Sequence, residues 1–482
     1  MGAVLIPSPV TAARAGQAFE RYVAWAAGIE WADFSQAARR RAVLVLADDL
    51  AAAFSAVDEP EVSAVLARVK AAGSGPASLL APGRPGVSVL QAAMGNALAM
   101  GWNELDEGYR KAVCHAGLYV LPALLASAEA EGASTQELLR ALLLGYETVT
   151  RIACAFRFPS LRIHPHALLA PVGAAAGVGF LRRLPPAELL SAISSAATLG
   201  MAGPFNHALQ GVLARNIWAA QAASSGLAAL DWAQCGIGGQ ASSLHDVYVS
   251  ALGATEVDLS HFAPSADMGW AVESGYHKMN ASCQYTHSTI EAVQTLLAQD
   301  PSLLGGEAVA GIEVQAHPLG YALQDARPKT TLGAKFSVPH AVAAALVHGD
   351  GGVMSFDAAS LGDPRIARLR DLTRMVPFPD VQPPPHDRPA RVIVIDREGS
   401  RAEAVCWSAQ GGPDRPYAEE ALWDKLQALS ARQAPGLVRT MRALMGAASE
   451  HGTAPELARP WRQSLGNVFL DAAAPVDPPS SV

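Results

Sequence analysis

Apolar residues recur at helical spacing through most of the first 270 positions of this chain. The pattern predicts helices over 17–27, 36–56, 60–72, 87–100, 138–156, 172–180 and 186–199. The helix over 36–56 starts basic, at Arg39-Arg40-Arg41, and turns apolar, with Asp48 and Asp49 interrupting its face. Those two acids read as solvent-facing or structural. Ser134-Thr135-Gln136-Glu137 has the S-x-x-E form of a capping box and marks the start of the 138–156 helix. Residues 77–80 read as a short strand ahead of the turn Pro82-Gly83-Arg84-Pro85-Gly86. Beyond 270 the pattern changes. Residues 288–299 are helical, 308–316 alternate as a strand, and 391–408 read as a hairpin turning near Glu398-Gly399. Helical spacing returns over 416–430 and 435–448. Residues 1–15 read as a loose arm, and the segment after Ala472 as disordered.

Composition sharpens this. The chain has 482 residues, half of them hydrophobic and only 6% aromatic. Alanine-rich, aromatic-poor segments favour closely packed helices over extensive sheet. The length exceeds what one core usually serves, so two domains are expected. A formal charge of −8 excludes nucleic acid as the main partner, because phosphate binding needs a basic surface. The five cysteines are scattered, with no C-x-x-C spacing, which gives zinc and iron–sulfur ligation no local support. They read as reduced thiols of a cytoplasmic protein. The longest apolar run, 167–181, is too short to span a bilayer and holds Pro171.

Candidate chemistry concentrates between Asn96 and Glu131. Glu104, Asp106 and Glu107 precede Arg110, Lys111, Cys114 and His115, and an apolar segment with Pro122 follows. Acids and a histidine at the start of a buried helix can form an acid–base site, but the stretch taken alone favours a solvated turn leading into a core helix. Further along, His164 lies in Ile163-His164-Pro165-His166, just ahead of a small-residue helix. Lys278, Cys283 and His287 fall within 276–287. Glu147 and Arg151 stand at i,i+4, the spacing of a structural ion pair.

Taken together, these segments resemble the MmgE/PrpD family, whose members include 2-methylcitrate dehydratase, cis-aconitate decarboxylase and iminodisuccinate epimerase. Asn96, Glu104-Leu105-Asp106-Glu107, His115 and 120–129 follow its N-G-x-x-x-H-x-x-D-F-D-D pattern and what comes after it. His164 matches the family's active-site histidine. Arg215 stands where the family has lysine, and Lys278 and Cys283 match K-x-y-P-x-C. His340 occupies the place of a usual tyrosine within 334–343. Other departures are Gly101 for the first histidine, Glu104 for aspartate, Gly108 for Thr or Ser, and Ala116 and Ala281 for proline.

The resemblance implies a mainly α fold. A large all-helical domain, 1–274 with 414–482, would carry an inserted α+β lid over 275–413, in a homodimer. It implies His115, His164, Lys278 and Asp106 as catalytic residues converging on one cleft. Glu104, Glu107, Arg215, Cys283 and His340 would bind a small polycarboxylate, with no metal or cofactor required. For Cys283, a small buried hydrophobe is the competing reading. The implied reaction is a lyase step, dehydration or decarboxylation, next to a carboxylate. Epimerisation of an imino- or amino-dicarboxylate and a fold retained without activity stay open.

Overall fold

The computed structural model describes residues 9–267, 269–450 and 454–470. Two hydrophobic cores organise them. The first joins the helices Pro9–Ala27, Gln36–Ala56, Val89–Trp102, Ala116–Glu131, Thr135–Ala155, Ala170–Leu181, Pro186–Thr198 and Ile217–Gln234. Leu422, Trp423, Met441, Leu444 and Trp461, from the C-terminal helices, are buried in this same core. The helix Ala170–Leu181 lies at its centre and is buried along its whole length. Its small side chains let neighbouring helices approach closely. A Cβ on Gly226 would come 2.5 Å from the Ala174 Cβ and 2.7 Å from the Pro171 carbonyl oxygen.

The second core lies under a four-stranded sheet ordered Arg401–Cys406, Ala390–Asp396, Val309–Ala316, Thr373–Pro377. The last two strands run parallel and the other pairs antiparallel. Ile312, Val314, Val392 and Val394 pack there with Ile290, Val293 and Leu296 of the helix His287–Gln299. Val342 and Leu346 join them from the helix Val338–His348. Helix dominates the molecule and the sheets are few and small, so the fold is mainly α.

The capping box forms as expected. Ser134 Oγ accepts from the Glu137 amide, and the Glu137 carboxylate accepts from the Ser134 amide at 2.9 Å. The hairpin turns through Gly399, whose φ of 84° suits glycine. The loose arm is corrected in part: helix begins at Pro9, and Ala15 is already buried. Residues 1–8 and the segment from 471 onward lie outside the described residues. Asp48 and Asp49 do not face solvent. Both are buried, and Asp48 is held by Lys425 Nζ at 2.5 Å and His277 Nδ1 at 2.7 Å. The periodicity could not show this, because the partners lie 229 and 377 positions away.

Close helix contact sets the first prediction. Gly226→Ala pushes a methyl group against backbone that cannot yield, and destabilises the protein by about 1–3 kcal/mol. A denaturant midpoint unchanged from wild type would refute it.

Candidate active site

The helix Val89–Trp102 ends where Lys335 Nζ donates to the Trp102 carbonyl (3.0 Å) and to Asn103 Oδ1 (2.8 Å). The next residue, Glu104, has a φ of 54°. This left-handed conformation costs a non-glycine residue roughly 1–2 kcal/mol. It turns the chain into the short strand Gly108–Tyr109, which pairs antiparallel with Gly275–Tyr276. That pairing sets the acidic segment beside Lys278. Lys278 Nζ lies 3.6 Å from Asp106 Oδ1 and 3.9 Å from Glu104 Oε2. Arg215 Nη1 reaches Glu104 Oε1 at 2.5 Å, with its guanidinium over the Phe336 ring.

Asp106 also binds His115, Oδ2 to Nδ1, at 2.6 Å. His115 is the N-cap residue of the helix Ala116–Glu131. Its ring meets that of His166 edge to face, 4.8 Å between centroids, and His166 meets His164 at 4.4 Å. His166 Nδ1 is 2.9 Å from the Tyr119 hydroxyl, and His164 Nδ1 accepts from the His166 amide. Phe205 stacks on His164, and Trp218 lies tilted beside it. Three imidazoles therefore form a row, with Asp106 and Lys278 at the His115 end.

His115 and His164, the two ends of the row, border a small cavity of about 40 Å³. Glu104, His115, His164, Arg215 and Cys283 line it. Asp106 and Lys278 are not among the lining residues; they lie immediately behind, through their contacts with His115 and Glu104. Lys278 Nζ and Arg215 Nε have no hydrogen-bond acceptor among the described residues, although both groups are buried.

Charge states follow from burial and neighbours. Burial alone would raise Asp106, but Lys278 and His115 outweigh it and hold the carboxyl well below the usual range. Burial would lower Lys278; Asp106, Tyr276 and Glu104 reverse this and keep it a cation. His164 and His166 are pushed well below an ordinary histidine by burial, then by Arg215. Both are neutral near pH 7. Burial followed by Glu104 lifts the Cys283 thiol to about 12, so it contributes a neutral apolar wall and no thiolate.

Two expected ligands fall elsewhere. Glu107 is absent from the lining. Its carboxylate accepts from the Gly117 amide (2.7 Å) and the Tyr146 hydroxyl (2.9 Å), supporting the start of the Ala116–Glu131 helix. The adjacent Asp49 Oδ1 accepts from the Glu107 amide. His340 is also remote from the cavity lining. Its Nε2 lies 2.9 Å from the Ser355 carbonyl, Arg370 donates to its Nδ1, and burial lowers its pKa to about 4. Ser337 caps the helix start and fixes it there.

Sequence reasoning missed His166 and Arg388. The signal for His166 was two histidines flanking a proline at a helix start. Arg388 lines the cavity with its guanidinium over the Tyr285 ring, in an otherwise Pro-rich connection that showed no motif. Among the described residues, no group of three or more His, Cys, Asp or Glu is placed to hold a metal ion. No helix among them is long and apolar enough to cross a membrane.

Buried imidazoles, a carboxylate–lysine pair and guanidinium groups thus gather at one cavity, and imidazoles and carboxylates are groups that can take up and return protons. The MmgE/PrpD N-terminal domain pattern matches residues 20–249 and the C-terminal domain pattern matches 281–447. The chain belongs to the MmgE/PrpD family. It is 26% identical over 355 residues to the cis-aconitate decarboxylase-like protein oryM of Aspergillus oryzae, covering 68% of this chain and 73% of that protein.

The Glu107 environment predicts a pH effect on stability. Burial lifts this carboxyl from 4.5 to about 7. A raised acid contributes stability that is full below about pH 4.5 and lost as pH rises through about 7. Glu107→Gln, neutral throughout, flattens that decline. Identical slopes of urea midpoint against pH in wild type and variant would rule the assignment out.

Proposed function

We propose that this protein is a lyase, a dehydratase or decarboxylase, acting on a small di- or tricarboxylic acid. The reaction moves a proton at the carbon beside a substrate carboxylate. The observation that carries this reading is the row of three imidazoles against the Asp106–Lys278 pair in a buried cavity. Family membership and the aconitate-decarboxylase-like name of the fungal relative support the reaction class.

His115, whose Nδ1–H is held by the Asp106 carboxylate, keeps Nε2 free to accept a carbon-bound proton. His164, whose Nδ1 accepts from the His166 amide, carries its proton on Nε2 and is suited to deliver one. In dehydration the C–H pair moves into the new double bond and hydroxide leaves with the proton from His164. In decarboxylation the C–C bond breaks, carbon dioxide departs, and the carbanion takes up a proton. Both routes build negative charge next to a carboxylate. Lys278, Arg215 and Arg388 are the cations at hand to stabilise it, most strongly where water is excluded. No metal or cofactor enters this scheme.

Epimerisation is the second reading. His115 and His164 both line the cavity, so one imidazole can remove a proton and the other return it. We also propose that 275–413 act as a lid on the helical part, 1–274 with 414–482, and that the chain works as a homodimer in the cytoplasm.

Candidate polyacids incubated in D₂O with the enzyme are expected to lose their C–H signal. An alkene or carbon dioxide identifies a lyase, an exchanged stereoisomer alone an epimerase, and no exchange with any acid a fold without activity. His164→Ala should lower kcat about 100- to 10,000-fold. Lys278→Ala should lower kcat as well as raise KM, because its positive charge behind the wall favours the negative charge that develops in the cavity and holds Asp106, the partner of His115. Turnover unaffected by both substitutions would sink the carbanion mechanism.

A further inference from the structure

A second cavity lies directly beside the polar one. It has a volume of about 230 Å³ and is lined chiefly by Ile152, Phe156, Phe158, Leu161, Leu168 and Tyr248. The two cavities share a wall: Ala112, Val113 and Pro165 line both. Each of these residues adjoins the proposed chemistry in sequence. Val113 stands two residues before His115, and Pro165 directly follows His164. Ala112 and Val113 are only half-buried, so the partition is thin. Lys111 and Arg157, both exposed, are the charged residues of the apolar lining.

Nothing in the proton-transfer scheme uses this apolar space. The polar cavity has room for little more than a carboxylate group, and the larger space beside it is apolar. Away from Lys111 and Arg157 at its exposed edge, the aromatic and aliphatic lining gives no partner to a carboxylate, and burying one there without a partner is costly. It does suit hydrocarbon.

We propose that the substrate carries an apolar substituent, an alkyl chain of several carbons. The chain crosses the Ala112–Val113–Pro165 wall into this second cavity while the carboxylates stay at Arg215 and Arg388. The inference rests on the reading of the polar cavity as a polycarboxylate site and specifies its substrate class. Selectivity then comes from chain length: the polar cavity fixes the head group and the apolar one measures the tail.

The test uses non-reacting analogues: succinate and its 2-methyl, 2-butyl and 2-hexyl derivatives, titrated calorimetrically against the full chain. Affinity is expected to rise about fourfold for each methylene buried. Ala153→Trp fills the apolar cavity from a half-buried position on its lining helix. Leu161→Asp charges its half-buried rim, with less risk to folding. In both variants the ratio of hexylsuccinate to succinate affinity should collapse towards one.

Affinity that is flat or falling with chain length in the wild type overturns the proposal. A gain that survives both substitutions also overturns it, because the tail would then lie elsewhere. Equal binding of hexanol and hexylsuccinate counts against it too, since the cavity would then take apolar ligands without the head group. Solvent exchange on unsubstituted polyacids is measured in parallel. Exchange without a chain-length gain defeats the tail alone; a chain-length gain without exchange leaves the tail standing and defeats the reaction.

Discussion

Glu104, Asp106, Lys278 and Arg215 form a compensated quartet of charges almost wholly removed from water. None of the four is tolerable alone at that depth. Removing one partner of a buried pair typically costs about 3–5 kcal/mol, chiefly because the other charge is left unmatched. The segments carrying them therefore have to meet: the turn after Val89–Trp102, the start of Ile217–Gln234, and the strand that leads to Lys278. The strained φ of Glu104 persists because this pairing and the Lys335 contacts hold the chain there. Site and fold share one electrostatic requirement.

Around the quartet the environment sorts chemically similar groups into different states. Asp106 is a carboxylate because cations face it, whereas Glu107, one residue later, titrates near 7 behind the helix start. Gly117 makes that backing possible, since a Cβ there would collide with Asp49 Oδ2. His164 and His166 are neutral because burial and Arg215 disfavour imidazolium. Groups whose environments drive their titrations apart are what proton transfer near neutral pH requires.

The sequence made local structure and the first ring of the site legible. Ser134–Glu137 capping, the Gly399 hairpin and the Glu147–Arg151 pair, 2.7 Å long, all depend on neighbours a few residues apart. His115, His164, Arg215 and Cys283 were found through motifs and do line one cavity. What escaped depends on distant partners. Nothing local distinguishes a buried Asp48 from an exposed one until Lys425 and His277 are placed. His340 carried a motif position, yet Ser355, Ser360 and Arg370 hold it away from the cavity. Arg388 lay in a Pro-rich connection, where only tertiary contact with Tyr285 gives it meaning.

The Asp48 joint has a consequence for the order in which the protein can mature on the ribosome. Asp48 emerges early, but Lys425, which neutralises it and also donates to the Leu105 carbonyl, is made 377 residues later. Until then Asp48 lacks the cation that offsets it, although His277, made 229 residues after it, supplies a hydrogen bond earlier. The C-terminal helix that carries Lys425 closes this joint last, and through the Leu105 carbonyl it also ties down the chain between Glu104 and Asp106.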